Sequence, residues 1–176
     1  MNKWKKTCLS ILMIVVMTPF LLSNTKASDY KDVTPTIKQA NEVTETVYIN
    51  HISTDASGTT LTIEPIEWYQ GEAARKAFAA HEPDADLDGP PDGYYIVNNH
   101  KPLETYTVSP NATVMMQIYD RTGQLEDMDI QANEQITLAK FNKIFADKDN
   151  LDLSNFPYHI KIQDGVITSI VQQYIP

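Results

Sequence analysis

The sequence predicts an α+β fold, mainly β: a small antiparallel barrel or curved sheet of the oligomer-binding (OB) kind, with two short helices. Three observations carry this expectation. Apolar and polar residues alternate with a period of two in several stretches, turn residues punctuate those stretches, and helical periodicity occurs in only two short places. Helices and strands do not alternate over long distances, which argues against a doubly wound parallel sheet.

Residues 44–52 form the first expected strand, with Val47, Ile49 and His51 on one face and Tyr48, Asn50 and Ile52 on the other. Ser53, Asp55, Ser57 and Gly58 supply a turn. Residues 59–68 return as a second strand, with Leu61, Ile63 and Pro65 on one face and Thr60, Thr62, Glu64 and Ile66 on the other. Pro65 has no N–H to donate and marks an edge or bulge. Residues 71–80 are rich in alanine and place Ala74 and Phe78 one helical turn apart, so a short helix anchored by Phe78 is predicted. Trp68 and Tyr69, just before it, read as packing residues at a strand-helix corner, with an aromatic carbohydrate-binding surface as the alternative.

Strands are expected at residues 94–98, 105–108 and 112–119, with a turn at 99–102, and residues 125–133 read as acidic and irregular. Thr137 is placed to cap a second helix whose stripe is Leu138, Phe141, Ile144 and Phe145, with Ile136 and Phe141 positioned as a hydrophobic staple. Asp164-Gly165 is a strong hairpin signal between residues 157–163 and 166–174, because a type I′ turn needs positive φ at both central positions. An uninterrupted register pairs Ile162 with Ile167, Ile160 with Ser169 and Tyr158 with Val171 on the core face. It leaves His159, Lys161, Gln163, Thr168, Gln172 and Tyr174 on the wet face.

The first residues carry an address. Lys3, Lys5 and Lys6 precede an apolar run from Leu9 to Leu22, and Thr25 and Ala27 offer the small residues of a cleavage site, so residues 1–27 read as a secretory signal peptide. Residues 28–42 follow as a polar, flexible lead-in, and residues 43–176 as a single β-rich domain. Removing 27 of 176 residues leaves 149, enough for one core. Loss of Lys3, Lys5, Lys6 and Lys26, with no acid lost, takes the formal charge from −9 to −13. Such a surface repels nucleic acid and anionic membrane and attracts basic partners. The lone cysteine, Cys8, leaves with the signal, so the exported chain has neither disulfide nor thiol nucleophile, and no membrane span is expected after cleavage.

The candidate site for chemistry is the loop Asp84-Ala85-Asp86-Leu87-Asp88-Gly89-Pro90-Pro91-Asp92. Asp84, Asp86 and Asp88 followed by Gly89 match positions 1, 3, 5 and 6 of a calcium loop, and Asp92 falls at position 9. Position 12, where a bidentate glutamate belongs, is Tyr95. Oxygen ligands alone favour Ca2+, so these four aspartates are the metal candidates, with a solvated acidic loop as the plain alternative.

The stretches Asp92-Gly93-Tyr94-Tyr95-Ile96-Val97-Asn98-Asn99 and Tyr106-Thr107-Val108-Ser109, with the ending from Asp164-Gly165-Val166-Ile167 to Gln172-Gln173-Tyr174-Ile175-Pro176, resemble a group of small uncharacterised exported bacterial proteins. Members tend to carry a basic residue where this chain has Glu104, so no anion site is carried over to that position. The resemblance implies a bacterial protein, secreted or held at the cell surface, and supplies no activity. The favoured function is a non-catalytic domain that binds a cell-envelope or extracellular protein partner. The alternative is a hydrolase using carboxylates such as Glu64, Glu67 or Asp92. His51, His81, His100 and His159 form no local metal pair, and no serine sits in a nucleophile elbow.

Overall fold

A computed structural model describes residues 41–99, 102–125 and 128–176, so the expected signal peptide and most of the lead-in lie outside the described residues. Seven strands and two helices follow in the order β1 (Glu42–Asp55), β2 (Gly58–Gln70), α1 (Gly71–His81), β3 (Tyr94–Val97), β4 (Glu104–Met116), β5 (Glu134–Ile136), α2 (Leu138–Ala146), β6 (Pro157–Gln163) and β7 (Val166–Gln172). Among the described residues no helix is long and apolar enough to cross a membrane.

Five strands close on themselves. Around the ring β1 pairs with β2, β2 with β4, β4 with β7, β7 with β6 and β6 with β1. Strand direction cannot alternate all the way round a ring of five, so one seam must be parallel, and it is β4–β7. The result is a closed five-stranded barrel with two helices, the architecture of the OB fold. β3 and β5 are short additions to β2 and β4 outside the ring. Alternation sends Val47, Ile49, Leu61, Ile63, Val114, Tyr158, Ile160 and Ile170 inward, all without solvent exposure. The Thr137 side chain caps α2 by accepting the Lys140 N–H at 3.1 Å. That helix lays Phe141 on the core, edge-on to Tyr158 at 5.9 Å. Tyr158 in turn donates its hydroxyl to the Leu153 carbonyl at 2.9 Å, tying the 3-10 turn Leu153–Asn155 to the barrel.

Three irregularities correct the sequence-based expectations, and two of them, in β1 and β7, follow from one physical fact: an extra residue on one strand reverses the phase of everything beyond it. In β1 the register slips at Asn50, so Ile52 pairs with Leu61 and packs against the core instead of sharing the outer face of Tyr48. The expected strands at 105–108 and 112–119 are one strand, β4. Its pairing with β7 jumps from Val108–Ile167 to Thr113–Ser169, and Pro110, with no N–H to offer, lies inside the jump. In the last hairpin Asp164 and Gly165 do take positive φ, 50° and 82°, and Ile162 pairs with Ile167 as expected. Beyond that pair the register slips at Thr168. Ile160 therefore pairs with Ile170 and Tyr158 with Gln172, while Ser169 and Val171 turn to the other face. β5 falls within no predicted strand; three residues are too few to establish a period.

Gln172 is thus buried, 1% exposed, where the uninterrupted register put it in water. Its Oε1 accepts the backbone N–H groups of Gln117 and Ile118, both at 2.9 Å, just where β4 leaves the ladder. One side-chain carbonyl satisfies two donors that no strand reaches. Gln172→Leu keeps the volume and strands both donors, and should lower stability by about 2–4 kcal/mol. Urea denaturation with an unchanged slope is the measurement. A loss under about 0.5 kcal/mol, the size of an ordinary surface change, would contradict this role for Gln172.

Candidate functional site

β2 outruns the barrel. Its first half pairs with β1 and β4, but Glu67–Gln70 continue past the ring and pair with β3 instead. On this extension Trp68, in the outward phase of β2, stacks on Tyr94 of β3 with ring centroids 4.7 Å apart and planes at 14°. His159 on β6 meets Trp68 edge-on at 6.1 Å. The imidazole has both nitrogens engaged, Nδ1 with Thr46 Oγ1 at 2.9 Å and Nε2 with Gln173 Oε1 at 3.2 Å, so it braces the stack and is not an open ligand. All three rings are partly exposed.

Tyr48 extends this surface along β1. Burial raises its hydroxyl pKa above the ordinary phenol value, and the nearby Tyr94 and Glu64 raise it further. A cleft of about 340 Å³ opens here, lined by Tyr48, Asn50, Glu64, Ser154 and Asn155 over Ile49. Its lining is polar and holds one carboxylate.

The other face of the β2–β3 extension is covered by α1. Ala74 and Phe78 are buried, as the alanine-rich stripe predicted, and Phe78 packs edge-on against Tyr95 at 5.6 Å. Tyrosine and carboxylate recur together here. Tyr69 donates to Glu67 at 2.6 Å, Tyr95 to Glu82 at 3.1 Å, and, on β4, Tyr106 to Glu104 at 2.5 Å. The bond to Glu104 is the main reason the Tyr106 hydroxyl is pushed up to about 12.

Asp84, Asp86, Asp88 and Asp92 lie exposed in the loop between α1 and β3. Among the described residues no three His, Cys, Asp or Glu side chains gather into a group that could hold a metal ion. Gly89 is not among the glycines with positive φ; a Cβ there would meet Arg75 Cγ at 2.8 Å, so its missing side chain lets the α1 arginine close over the loop. Of the other expected residues, Glu64 lines the cleft, Glu67 accepts from Tyr69, His51 and His81 are exposed, and His100 lies outside the described residues.

Two further constellations belong to the framework. Tyr119, fully buried, donates its hydroxyl to Glu134 Oε1 at 2.5 Å and accepts from Lys140 Nζ at 2.6 Å, while Arg121 gives two N–H groups to Glu134 Oε2 at 2.7 and 2.8 Å. The Arg121 guanidinium lies 4.4 Å over the Tyr119 ring. A second cleft, about 520 Å³, lies between the β1–β2 turn, β4 and the start of α2. There Asn142 donates to Thr54 at 3.0 Å and Thr59 at 3.3 Å.

No family model matches the chain, and no curated protein or solved structure matches it.

Sequence reasoning reached Trp68 but not its partners. The available signal was phase: Tyr48 and Trp68 both fall on outward positions of their strands, where an aromatic side chain is not consumed by the core.

The Glu134 cluster sets an acid limit. Burial works to raise its carboxyl, but the Tyr119 hydrogen bond and the Arg121 pair outweigh it, so the group lies below the ordinary value. A carboxyl depressed in the folded state contributes stability at neutral pH, and that contribution is lost as the pH falls through the folded pKa. Between about pH 5 and about pH 2 the melting temperature should fall, and Glu134→Gln should remove part of that pH dependence while lowering stability at neutral pH by about 1–3 kcal/mol. Parallel melting curves for wild type and variant across the range would count against the assignment.

Proposed function

We propose that this chain is an exported, non-catalytic domain that binds a cell-envelope or extracellular protein partner through the outer face of β1, β2 and β3. The observation that carries the reading is the partly exposed Trp68–Tyr94 stack, braced by His159 and continuous with the Tyr48 cleft. Aromatic side chains held rigid at a surface are the usual anchors of protein interfaces. The order of charge, apolar run and small residues in 1–27, together with the resemblance to exported bacterial proteins, supports export. Hydrolysis has less support. Neither of the two clefts described above has two facing carboxylates: the Tyr48 cleft contains Glu64, and the cleft at the start of α2 contains Asp55.

Sedimentation of the full chain with isolated bacterial envelopes tests the reading. The chain should be retained, protease treatment of the envelopes should release it, and Tyr94→Ala should weaken retention by about tenfold or more. Retention that ignores both treatments would remove the proposal.

Calcium enters as the ion that would order the acidic loop, by drawing Asp84, Asp86, Asp88 and Asp92 together around it. Millimolar calcium should then give a saturable heat and raise the melting temperature through preferential binding to the folded state. Magnesium and matched sodium chloride should do less, and Asp86→Asn with Asp88→Asn should abolish the difference. Equal stabilisation by all three salts would reduce the loop to solvated surface.

A further inference from the structure

From the chemistry of this same face we infer that its ligand is a basic peptide segment, in which lysine or arginine side chains lie against the Trp68–Tyr94 stack and reach the carboxylates of Glu64 and Asp92. The inference rests on the binding reading above and names the partner's chemistry.

Charge is the first ground. Residues 64–98, which form the end of β2, α1, the acidic loop and β3, hold eight acids, against only Arg75 and Lys76 as bases. Arg75 is itself paired with Glu72 on α1. Position is the second. Glu64 and Asp92 each act electrostatically on a tyrosine of the face, Glu64 on Tyr48 and Asp92 on Tyr94, so negative charge borders the rings at both ends. Hydrogen-bonding capacity is the third. His159 already engages both ring nitrogens, with Thr46 and Gln173, so the imidazole offers this face no further donor, while the carboxylates of Glu64 and Asp92 are acceptors only. A ligand that brings donors and positive charge complements such a surface, and cations over tryptophan and tyrosine rings gain from the ring quadrupole as well. An anionic polymer is repelled, and a neutral glycan, whose hydroxyls donate and accept alike, uses only half of what the surface offers.

Trp4 and Trp68 are the two tryptophans of the chain. In the full chain carrying Trp4→Phe, fluorescence reports on Trp68 alone. The probes are a short peptide of alternating lysine and glycine, the same peptide with glutamate for lysine, and an N-acetylglucosamine oligomer. We expect a saturable fluorescence change with the lysine peptide only, weakened about tenfold between about 50 mM and about 300 mM sodium chloride. Glu64→Gln with Asp92→Asn should also weaken it about tenfold, whereas Asp147→Asn with Asp149→Asn, the same charge change after α2, should leave it within about twofold. Tyr94→Leu, checked for an unchanged circular dichroism spectrum, gives a second route that spares the carboxylates. No saturable change, equal weakening by both carboxylate pairs, or binding of the glycan in place of the peptide would overturn the inference. If the peptide fails while envelope retention still depends on Tyr94, the basic-peptide chemistry falls and the site reading stands. If retention is also indifferent to Tyr94, the site reading falls with it.

Discussion

The double pairing of β4 is the constraint on which the rest of the molecule depends. β4 accepts β2 along one edge and β7 along the other, and only that arrangement converts a row of strands into a closed barrel. Closure removes the free edges among the five ring strands and lets their inward side chains meet in one core. It also demands that a strand of thirteen residues bend round the wall, and the irregular stretch around Pro110 supplies the bend. Where β4 finally leaves the ladder, the carbonyl of Gln172 takes over from a missing strand.

Much of this was legible in the sequence, and what was legible was local. The Asp164-Gly165 turn, the Thr137 cap and the Ala74–Phe78 stripe are each decided by a few consecutive residues, and each is found in place. The slips at Asn50 and Thr168 were not legible, because a bulge is set by the partner strand and by curvature, neither of which is written in the bulged strand itself. Their consequence is large: Ile52 and Gln172 exchange water for core. The same limit hid the Glu134 cluster, which brings together Tyr119 and Arg121 after β4, Glu134 on β5 and Lys140 on α2.

The aromatic face shows how a surface is assembled from such distant pieces. Tyr48, Trp68, Tyr94 and His159 sit on four different strands, and no window of the sequence contains more than one of them alongside its neighbour in space. What gathers them is the overrun of β2, which carries Trp68 out of the barrel to where β3 can meet it. The acidic loop reaches the face through the same connection, since it leads directly into β3.

The order in which the strands are made has a kinetic consequence. β1 finds its second neighbour only in β6, with Glu42 opposite Gln163, and β4 finds its own only in β7, with Thr107 opposite Val166. As the chain leaves the ribosome, the sheet of β1, β2 and β4 therefore keeps its two outer edges open until the last strands emerge. Contacts so distant in sequence make for slow folding, on the scale of roughly milliseconds to seconds for barrels of this kind. The ring, and the core inside it, can close only once β6 and β7 are present.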